Sequence, residues 1–392
     1  MLQRFSLSSF SLRCGNPTLG GDDAEKNVAL VATHYIPNGT PYYCISVRTK
    51  RGLRTRKIRR WWCYECQRPF STSRHRPQTK AAAPSLILRA AHLYFDREAS
   101  YRAVGRELHV RPYRLFQWID ALGENSKTFV EVAKELNPSW GGYLLLDGKT
   151  IFVQGEHYSL LLSADATTQD IPIASFAPSE KSDSWEPMLE CLRDEIGYPI
   201  KGLVIDGDWG LWSACQKLFP RVPLQLCVRH MGQFLNYHFR YLYKGSCKGV
   251  EAFKALAFRL LYVKSQPQRD FWLKSWQQRR QAFKYCGLEK ESLSFEDKIP
   301  FLFTHLDHPG MPRTTNIIEG VIRQLSRKID DTDGFNYPTT AWRSLRLLIM
   351  RYRFHRFTDS RLDGHNGKAP LELARVNIDN IDWVQFSQKK HQ

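Results

Sequence analysis

The spacing of apolar residues changes near residue 140, which separates two parts of the chain. Over residues 86–123, apolar side chains recur at the intervals of short amphipathic helices. Ser100 is placed to cap the second of these helices, and a turn near Val110 precedes a third. Short helices joined by a tight turn form the helix-turn-helix pattern, so we predict that domain over residues 81–125. A plain three-helix bundle is the alternative.

The apolar runs after residue 140 predict strands separated by turns and helices. Three runs form a predicted antiparallel meander, at residues 142–153, 158–166 and 171–178. Two helices and two strands follow in alternation, at residues 184–197 with Ser184 as the cap, 201–207, 210–220 and 222–230. The order β-β-β-α-β-α-β is the order that a ribonuclease H-like α/β domain requires. We therefore predict the first part of such a core over residues 140–230.

Two aspartates stand at the ends of predicted strands. Asp147 belongs to the first strand and Asp206 ends the fourth, and these two strands are neighbours in a ribonuclease H-like sheet. Adjacent carboxylates repel unless a divalent cation lies between them, and oxygen ligands suit Mg²⁺ or Mn²⁺. Each aspartate also precedes a glycine, so two ordinary turn residues are the alternative, and Asp208 is an alternative to Asp206 as the second ligand.

The rest of the chain is predicted to be mainly helical. Residues 231–310 are rich in arginine, lysine, tryptophan and tyrosine, which suits either a nucleic-acid surface or a packed helical insertion with a solvated basic face. Residues 311–360 then hold Glu319 in the first turn of a helix, with Arg323 and Arg327 one and two turns later. Glu319 could simply complement the helix dipole. Alternatively it is a third metal carboxylate, and the arginines hold phosphates around it.

The charge of the chain indicates a polyanionic partner. Its 392 residues carry a formal net charge of +18, and nucleic acid is the commonest partner of such a protein. No apolar run approaches the roughly 18 residues of a membrane-spanning helix, so we expect no membrane association. The predicted DNA-contacting residues lie in the basic run at 48–60 and on the third helix: Arg54, Arg56, Lys57, Arg59, Arg60, Arg111, Arg114 and Gln117.

The nine cysteines suggest both a compartment and a metal. An odd number without a signal peptide fits a reducing compartment, so we expect a cytoplasmic protein. Cys63 and Cys66 form a C-x-x-C pair that could hold Zn²⁺ in a zinc-ribbon-like segment over residues 1–80, although a second such pair is not evident. Two cysteines in an ordinary loop are the alternative. His230, in a C-x-x-H pair with Cys227 just after the fifth strand, is predicted to lie near the acids and to contact phosphate. A buried cysteine and a histidine with satisfied hydrogen bonds are the alternative.

Three motifs together resemble a DDE transposase of a prokaryotic insertion sequence, in the set related to Mutator-like transposases. They are "LLLDGK" around Asp147, "VIDGDWGLWSACQKLFPRVPLQLCVRH" from Val204 to His230, and "RTTNIIEGVIRQLSRKIDDTDGF" from Arg313 to Phe335. In that family the second aspartate is followed by a helix, "FP" and a strand ending in C-x-x-H, and the third acid lies in a "TTNxIE" motif. The incomplete zinc ribbon and the Asp208-Trp209 pair depart from that pattern.

The resemblance implies a ribonuclease H-like catalytic domain interrupted by an all-helical insertion at 231–310 and followed by a C-terminal tail at 361–392. Asp147, Asp206 and Glu319 would be the catalytic acids and would hold two Mg²⁺ or Mn²⁺ ions. The implied reaction is cleavage and transfer of DNA strands. The implied partners are double-stranded DNA, as terminal inverted repeats and as target, and further copies of the chain in a homodimer or higher oligomer at the nucleoid.

Two other functions stay open from the sequence. One is a domesticated transposase that has lost its chemistry and regulates by binding DNA, against which the three acids argue. The other is a ribonuclease H-like nuclease or Holliday-junction resolvase without strand transfer, against which the helical insertion and the "TTNxIE" motif argue.

Overall fold

The computed structural model describes residues 83–242, 248–332 and 334–389, together with five short strands before residue 72. Contacts divide the chain into two units, residues 1–83 and 84–392. In the first unit, β1 pairs with β4 and β4 with β5, all antiparallel, and β2 pairs with β3 in a hairpin. The five strands are β1 (Tyr42–Cys44), β2 (Val47–Thr49), β3 (Gly52–Arg54), β4 (Ile58–Cys63) and β5 (Arg68–Ser71).

The predicted zinc and DNA residues of this unit are only partly covered. Cys63 ends β4, whereas Cys66 lies outside the described residues. Arg54 lies in β3 and both Arg59 and Arg60 lie in β4. Arg56 and Lys57 also fall outside the described residues. The zinc-ribbon-like segment therefore stays a prediction.

Four helices open the second unit: α1 (Pro84–Phe95), α2 (Tyr101–Leu108), α3 (Pro112–Glu124) and α4 (Phe129–Leu136). The Ser100 hydroxyl accepts a hydrogen bond from the Ala103 amide at 3.2 Å, which confirms the predicted cap. Leu115, Trp118 and Ile119 are buried as their spacing predicts. The three predicted helices are present, and their assignment to a helix-turn-helix domain stays a prediction.

A mixed five-stranded sheet lies at the centre of the second unit. Its strands are β6 (Tyr143–Val153), β7 (Glu156–Asp165), β8 (Ala174–Ala177), β9 (Gly202–Ile205) and β10 (Leu224–Leu226), in the spatial order β10-β9-β6-β7-β8. The first three form the predicted antiparallel meander, and β9 runs parallel to β6. The predicted adjacency of the first and fourth strands is therefore confirmed.

The helices beside the sheet correct two details of the prediction. α5 (Ser182–Cys191), extended by a π turn over Leu192–Ile196, begins two residues before its predicted cap. Ser184 is inside this helix because its amide already donates to the Lys181 carbonyl at 3.0 Å. α6 (Trp209–Leu218) follows β9, and α7 (Val228–Leu242) begins directly after β10. The predicted fifth strand over residues 222–230 is therefore too long, because β10 ends at Leu226. His230 lies just after this strand in the first turn of α7, where the Met231 amide donates to the Cys227 carbonyl at 3.1 Å.

The region predicted as a helical insertion contains no strand among its described residues. After α7 it comprises α8 (Lys248–Leu261), α9 (Gln266–Tyr285), α10 (Glu289–Glu296), α11 (Ile299–Leu302) and α12 (Thr304–Asp307). Its aromatic centre is Phe253, which is fully buried and packs edge-on against Trp276 and Phe283 with ring centroids 5.0 Å apart. The buried side chains of this region and of the sheet form one hydrophobic core.

The chain returns to the sheet in its last third. α13 (Asn316–Asp330) packs on β6 and β7, and α14 (Pro338–Phe354), α15 (Pro370–Leu373) and α16 (Trp383–Ser387) complete the unit. Arg353 of α14 forms a fully buried bidentate ion pair with Asp170, with N–O distances of 2.7 and 2.8 Å. In the part of the chain that the structure describes, no helix is long and apolar enough to cross a membrane.

We expect the substitution Arg353→Met to lower the free energy of unfolding by about 3–5 kcal/mol, because Asp170 would keep its buried charge without a counter-charge. Urea unfolding followed by circular dichroism measures this loss. The control is Arg356→Met, since Arg356 forms its ion pairs with Glu372 and Asp379 at an exposed position and its loss should change the free energy of unfolding far less. Equal losses in the two variants would contradict the assigned role of the buried pair.

Candidate active site

The sheet register brings the two aspartates to one level. Tyr143 lies opposite Gly202 and Leu145 lies opposite Val204, an offset of 59 residues (202 − 143). The last pair is Leu145 with Val204, and the same offset separates Asp147 from Asp206 (206 − 147 = 59) two residues beyond it. The charge of Asp206 raises the pKa of Asp147, as expected for two acids that lie close together. Parallel pairing of β6 with β9 is therefore what juxtaposes their carboxylates.

The local backbone is as predicted at Asp206 but differs from the prediction at Asp147. Asp206 follows the last residue of β9, as predicted. Asp147 does not end a strand, because β6 continues to Val153 with Asp147 paired to Leu162 of β7. An ordinary turn position is excluded for Asp147 by this pairing. The Gly148 amide donates to the Asp147 carboxylate at 2.8 Å.

The role of Asp208 follows from its hydrogen bonds. One oxygen of its carboxylate accepts from the amides of Gly210 and Leu211, at 2.8 and 3.2 Å, so Asp208 caps α6. Its own amide donates to the Asp206 carboxylate at 2.9 Å. The side chain of Asp208 is thus occupied in starting a helix, which favours Asp206 as the second acid of the site.

Glu319 lies in the first turn of α13, as predicted, and its nearest cation is a residue that sequence reasoning missed. The Arg229 guanidinium donates to Oε2 of Glu319 at 2.5 Å and to the side chain of Asn316 at 3.0 Å. Arg323 and Arg327 are exposed on the same helix. The sequence offered one signal for this contact: Arg229 directly precedes His230, which was predicted to lie near the acids.

A buried threonine connects the C-x-x-H pair to the third acid. Thr315 is fully buried, and its hydroxyl lies 3.3 Å from the Cys227 sulfur and 3.2 Å from Nδ1 of His230. The same hydroxyl donates to Oε1 of Glu319 at 3.4 Å. Nε2 of His230 lies 3.8 Å from that oxygen, so the predicted closeness of His230 to the acids is confirmed.

The charges of the site act on one another. Burial first, and then the charge of Asp206, raise the pKa of Asp147 to about 7, with Glu319 adding to the effect and His230 opposing it. The hydrogen bond with Cys227 raises the pKa of His230 to about 9, so the imidazole is protonated at neutral pH. Burial raises the pKa of the Cys227 thiol. Hydrogen bonds from His230 and Thr315 lower it by more, so the pKa lies below its ordinary value.

A fourth carboxylate lies beside the site, and the sequence motifs do not indicate it. Burial, followed by the charges of Asp208 and Asp206, raises the pKa of Glu180. A Cβ atom at Gly148 would lie 2.5 Å from the Glu180 carboxyl group, so the close approach of Glu180 requires glycine after Asp147. Its presence increases the excess of negative charge at this end of the sheet.

The donor set of the site fits a divalent cation. Carboxylate oxygens are the ligands that Mg²⁺ and Mn²⁺ prefer, and the charges of Asp206 and Glu319 both raise the pKa of Asp147. Within the described residues, no three or more His, Cys, Asp or Glu side chains converge closely enough to form a ready metal cluster. Glu319 is instead engaged by Arg229 and Thr315.

The remaining predicted DNA contacts lie on α3. Arg111 is exposed as the residue before the helix, Gln117 is exposed, and Arg114 is partly buried. Tyr113, between the two arginines, is 70% exposed. Contact of these side chains with DNA stays a prediction.

Residues 162–356 match a family described as "Transposase, Mutator family". The search of curated proteins gave no significant match. One solved structure that aligns with the chain is described as "CryoEM structure of simian T-cell lymphotropic virus intasome in complex with PP2A regulatory subunit B56 gamma". It has 13% identity and a TM-score of 0.19, over 45% of this chain and 70% of that one.

We expect Asp147→Asn to stabilise the metal-free protein at pH 8 and to lose this effect near pH 4. The wild-type carboxyl has a pKa of about 7 when folded, above its unfolded value of about 3.9, so stability falls as pH rises between these values. Asparagine carries no charge at any pH, so the variant should gain about 2–4 kcal/mol at pH 8 relative to pH 4. Urea unfolding in EDTA at both pH values measures the gain. An identical difference at both would contradict the assigned repulsion.

Proposed function

The chain belongs, through residues 162–356, to the Mutator family of transposases, and we propose that it cleaves and transfers DNA strands at the ends of an insertion sequence. The observation that carries this proposal is the parallel register of β6 and β9, which sets Asp147 beside Asp206. Glu319 is near enough for its charge to act on Asp147. Three carboxylates that hold two divalent cations are typical of metal-dependent phosphoryl transfer.

In this proposal Asp147, Asp206 and Glu319 hold two Mg²⁺ or Mn²⁺ ions. When bound, such ions activate the attacking oxygen and stabilise the leaving oxygen of a phosphoryl transfer. Asp147 contributes its carboxylate from within a strand, where its backbone is held by pairing with Leu162 of β7. Asp206 is oriented by the amide of Asp208.

The cations of the chain bind the phosphates around the acids. His230 is protonated at neutral pH because the pKa of its imidazole is raised to about 9, and its Nε2 lies on the Glu319 side of the site. Arg323 and Arg327 are exposed along α13, one and two turns beyond Glu319. A guanidinium group that donates to two oxygens of a phosphodiester holds it in one orientation.

We further propose a ribonuclease H-like core formed by the five-stranded sheet with α5, α6, α13 and α14, interrupted by the helices between residues 231 and 310. The mixed sheet with β6 at its centre supports this assignment. Residues 48–123 would read the terminal inverted repeats of double-stranded DNA, with Zn²⁺ on Cys63 and Cys66 organising the N-terminal segment. Two or more copies would act together, since both ends of an element are processed.

A nuclease or resolvase without strand transfer, or an inactive DNA-binding regulator, is the alternative. Both share the basic surface and the fold with a transposase, and they differ from it in products. A regulator binds DNA ends without cutting them. A nuclease cuts them but leaves the 3′-ends unjoined. The joined product is therefore what distinguishes a transposase.

We expect the purified protein to cut duplex DNA that carries the element's ends in Mg²⁺ and to join the 3′-ends to a target plasmid. Asp206→Asn should lower both reactions by more than about 100-fold, since loss of a residue that only supports a metal ligand already costs 10–100-fold. Gel analysis of labelled ends measures both products.

The matched control is Asp208→Asn, which makes the same chemical change two residues away. Asparagine also caps helices, so this variant should keep cutting and joining within a few-fold of wild type. Absence of cutting by wild type, or cutting that survives Asp206→Asn, would refute the proposal. Cutting without joining would indicate a nuclease.

A further inference from the structure

The third acid of the site has both carboxylate oxygens engaged by its own chain. Oε2 of Glu319 accepts from the Arg229 guanidinium at 2.5 Å, and Oε1 accepts from the Thr315 hydroxyl at 3.4 Å. A divalent cation at Oε2 would lie within a few ångströms of the guanidinium charge. Two positive charges at that distance repel, so Glu319 cannot bind a divalent cation and Arg229 at full strength at the same time.

The two partners of Glu319 differ in how firmly they are held. Thr315 is fully buried, and its amide and hydroxyl both contact the Cys227 sulfur at 3.3 Å. The side chain of Arg229 is 47% exposed, and its other contact is the Asn316 side chain at 3.0 Å. Arg229 can therefore leave Glu319 without opening the hydrophobic core, whereas Thr315 cannot.

We propose that Arg229 is an exchangeable partner of Glu319 and a DNA-phosphate ligand of the active site. It holds Glu319 until a divalent cation occupies the carboxylate, and the released guanidinium then binds a phosphate of DNA in the site. This inference rests on the proposed function. The fork of donors on a guanidinium fits two oxygens of a phosphate as well as it fits a carboxylate.

The exchange would couple cation binding to DNA binding. Without DNA, the cation and Arg229 compete for Glu319, so Arg229 weakens cation affinity. When DNA is bound, a phosphate accepts the hydrogen bonds of the guanidinium. The cation can then bind Glu319 while Arg229 stays paired with a negative charge. Linkage then requires that DNA tighten cation binding and that the cation tighten DNA binding by the same factor.

The test measures Mn²⁺ affinity from the electron paramagnetic resonance signal of free Mn²⁺, so that it does not depend on catalysis. In the absence of DNA, Arg229→Met should bind Mn²⁺ about tenfold more tightly than wild type, because one positive charge near the ion is gone. Arg221→Met removes the same charge at an exposed position before β10 and should leave the affinity unchanged. Arg229→Lys, which keeps the charge, should stay close to wild type.

A second arm adds a duplex that ends at the cleavage position and cannot be cut again. This DNA should tighten Mn²⁺ binding clearly more in wild type and in Arg221→Met than in Arg229→Met, in which only direct contacts between the ion and DNA remain. Unchanged or weaker Mn²⁺ binding by Arg229→Met without DNA would overturn the exchange, as would equal tightening by DNA in all variants.

Failure of the exchange and failure of the proposed function give different results. Asp206→Asn is the reference, since it should abolish Mn²⁺ binding whatever Arg229 does. If Asp206→Asn binds Mn²⁺ as wild type does, the metal site is wrong and the exchange fails with it. If Asp206→Asn loses the ion but Arg229→Met equals wild type, the exchange alone is refuted.

Discussion

The parallel pairing of β6 with β9 is the constraint on which the rest of this site depends. It sets Asp147 and Asp206 at one level of the sheet, where their like charges and partial burial oppose ionisation of Asp147. Apolar side chains on both strands, including Leu146 and Ile205, are fully buried and stabilise the pairing in spite of the repulsion. The sheet thus holds the two carboxylates closer together than their mutual repulsion favours. The result is a fixed excess of negative charge at this end of the sheet.

A second constraint positions Glu319 from far along the chain. The Val228 amide donates to the Arg313 carbonyl at 3.1 Å, and the Cys227 sulfur accepts from the Thr315 amide at 3.3 Å. The chain therefore leaves the sheet at the start of α7 and returns beside the same point before α13. The helices between these two points share one hydrophobic core with the sheet, so the helical region packs against the sheet that carries the site.

The sequence predicts much of the sheet but little of the pairing between side chains. A run of apolar residues is a local signal, so it identifies the strands, and their order implies that the strands of Asp147 and Asp206 are neighbours. The contact of Arg229 with Glu319 joins residues 90 positions apart and depends on the packing of α7 against α13. No local pattern reports such a contact. The same reason explains why the approach of Glu180 to Gly148 was not foreseen.

The three acids are electrostatically unequal, and this inequality bears on how the site would fill. Glu319 lies in the first turn of a helix, where the dipole favours an anion, and it contacts Arg229 and lies near protonated His230. The charge of Asp206 opposes ionisation of Asp147, and the Gly148 amide and the charge of His230 partly offset this effect. Under the proposed function, a cation between the aspartates relieves a repulsion, whereas a cation at Glu319 has to displace an existing partner. The aspartate pair therefore provides the driving force for metal entry, and Glu319 is the acid at which entry can be controlled.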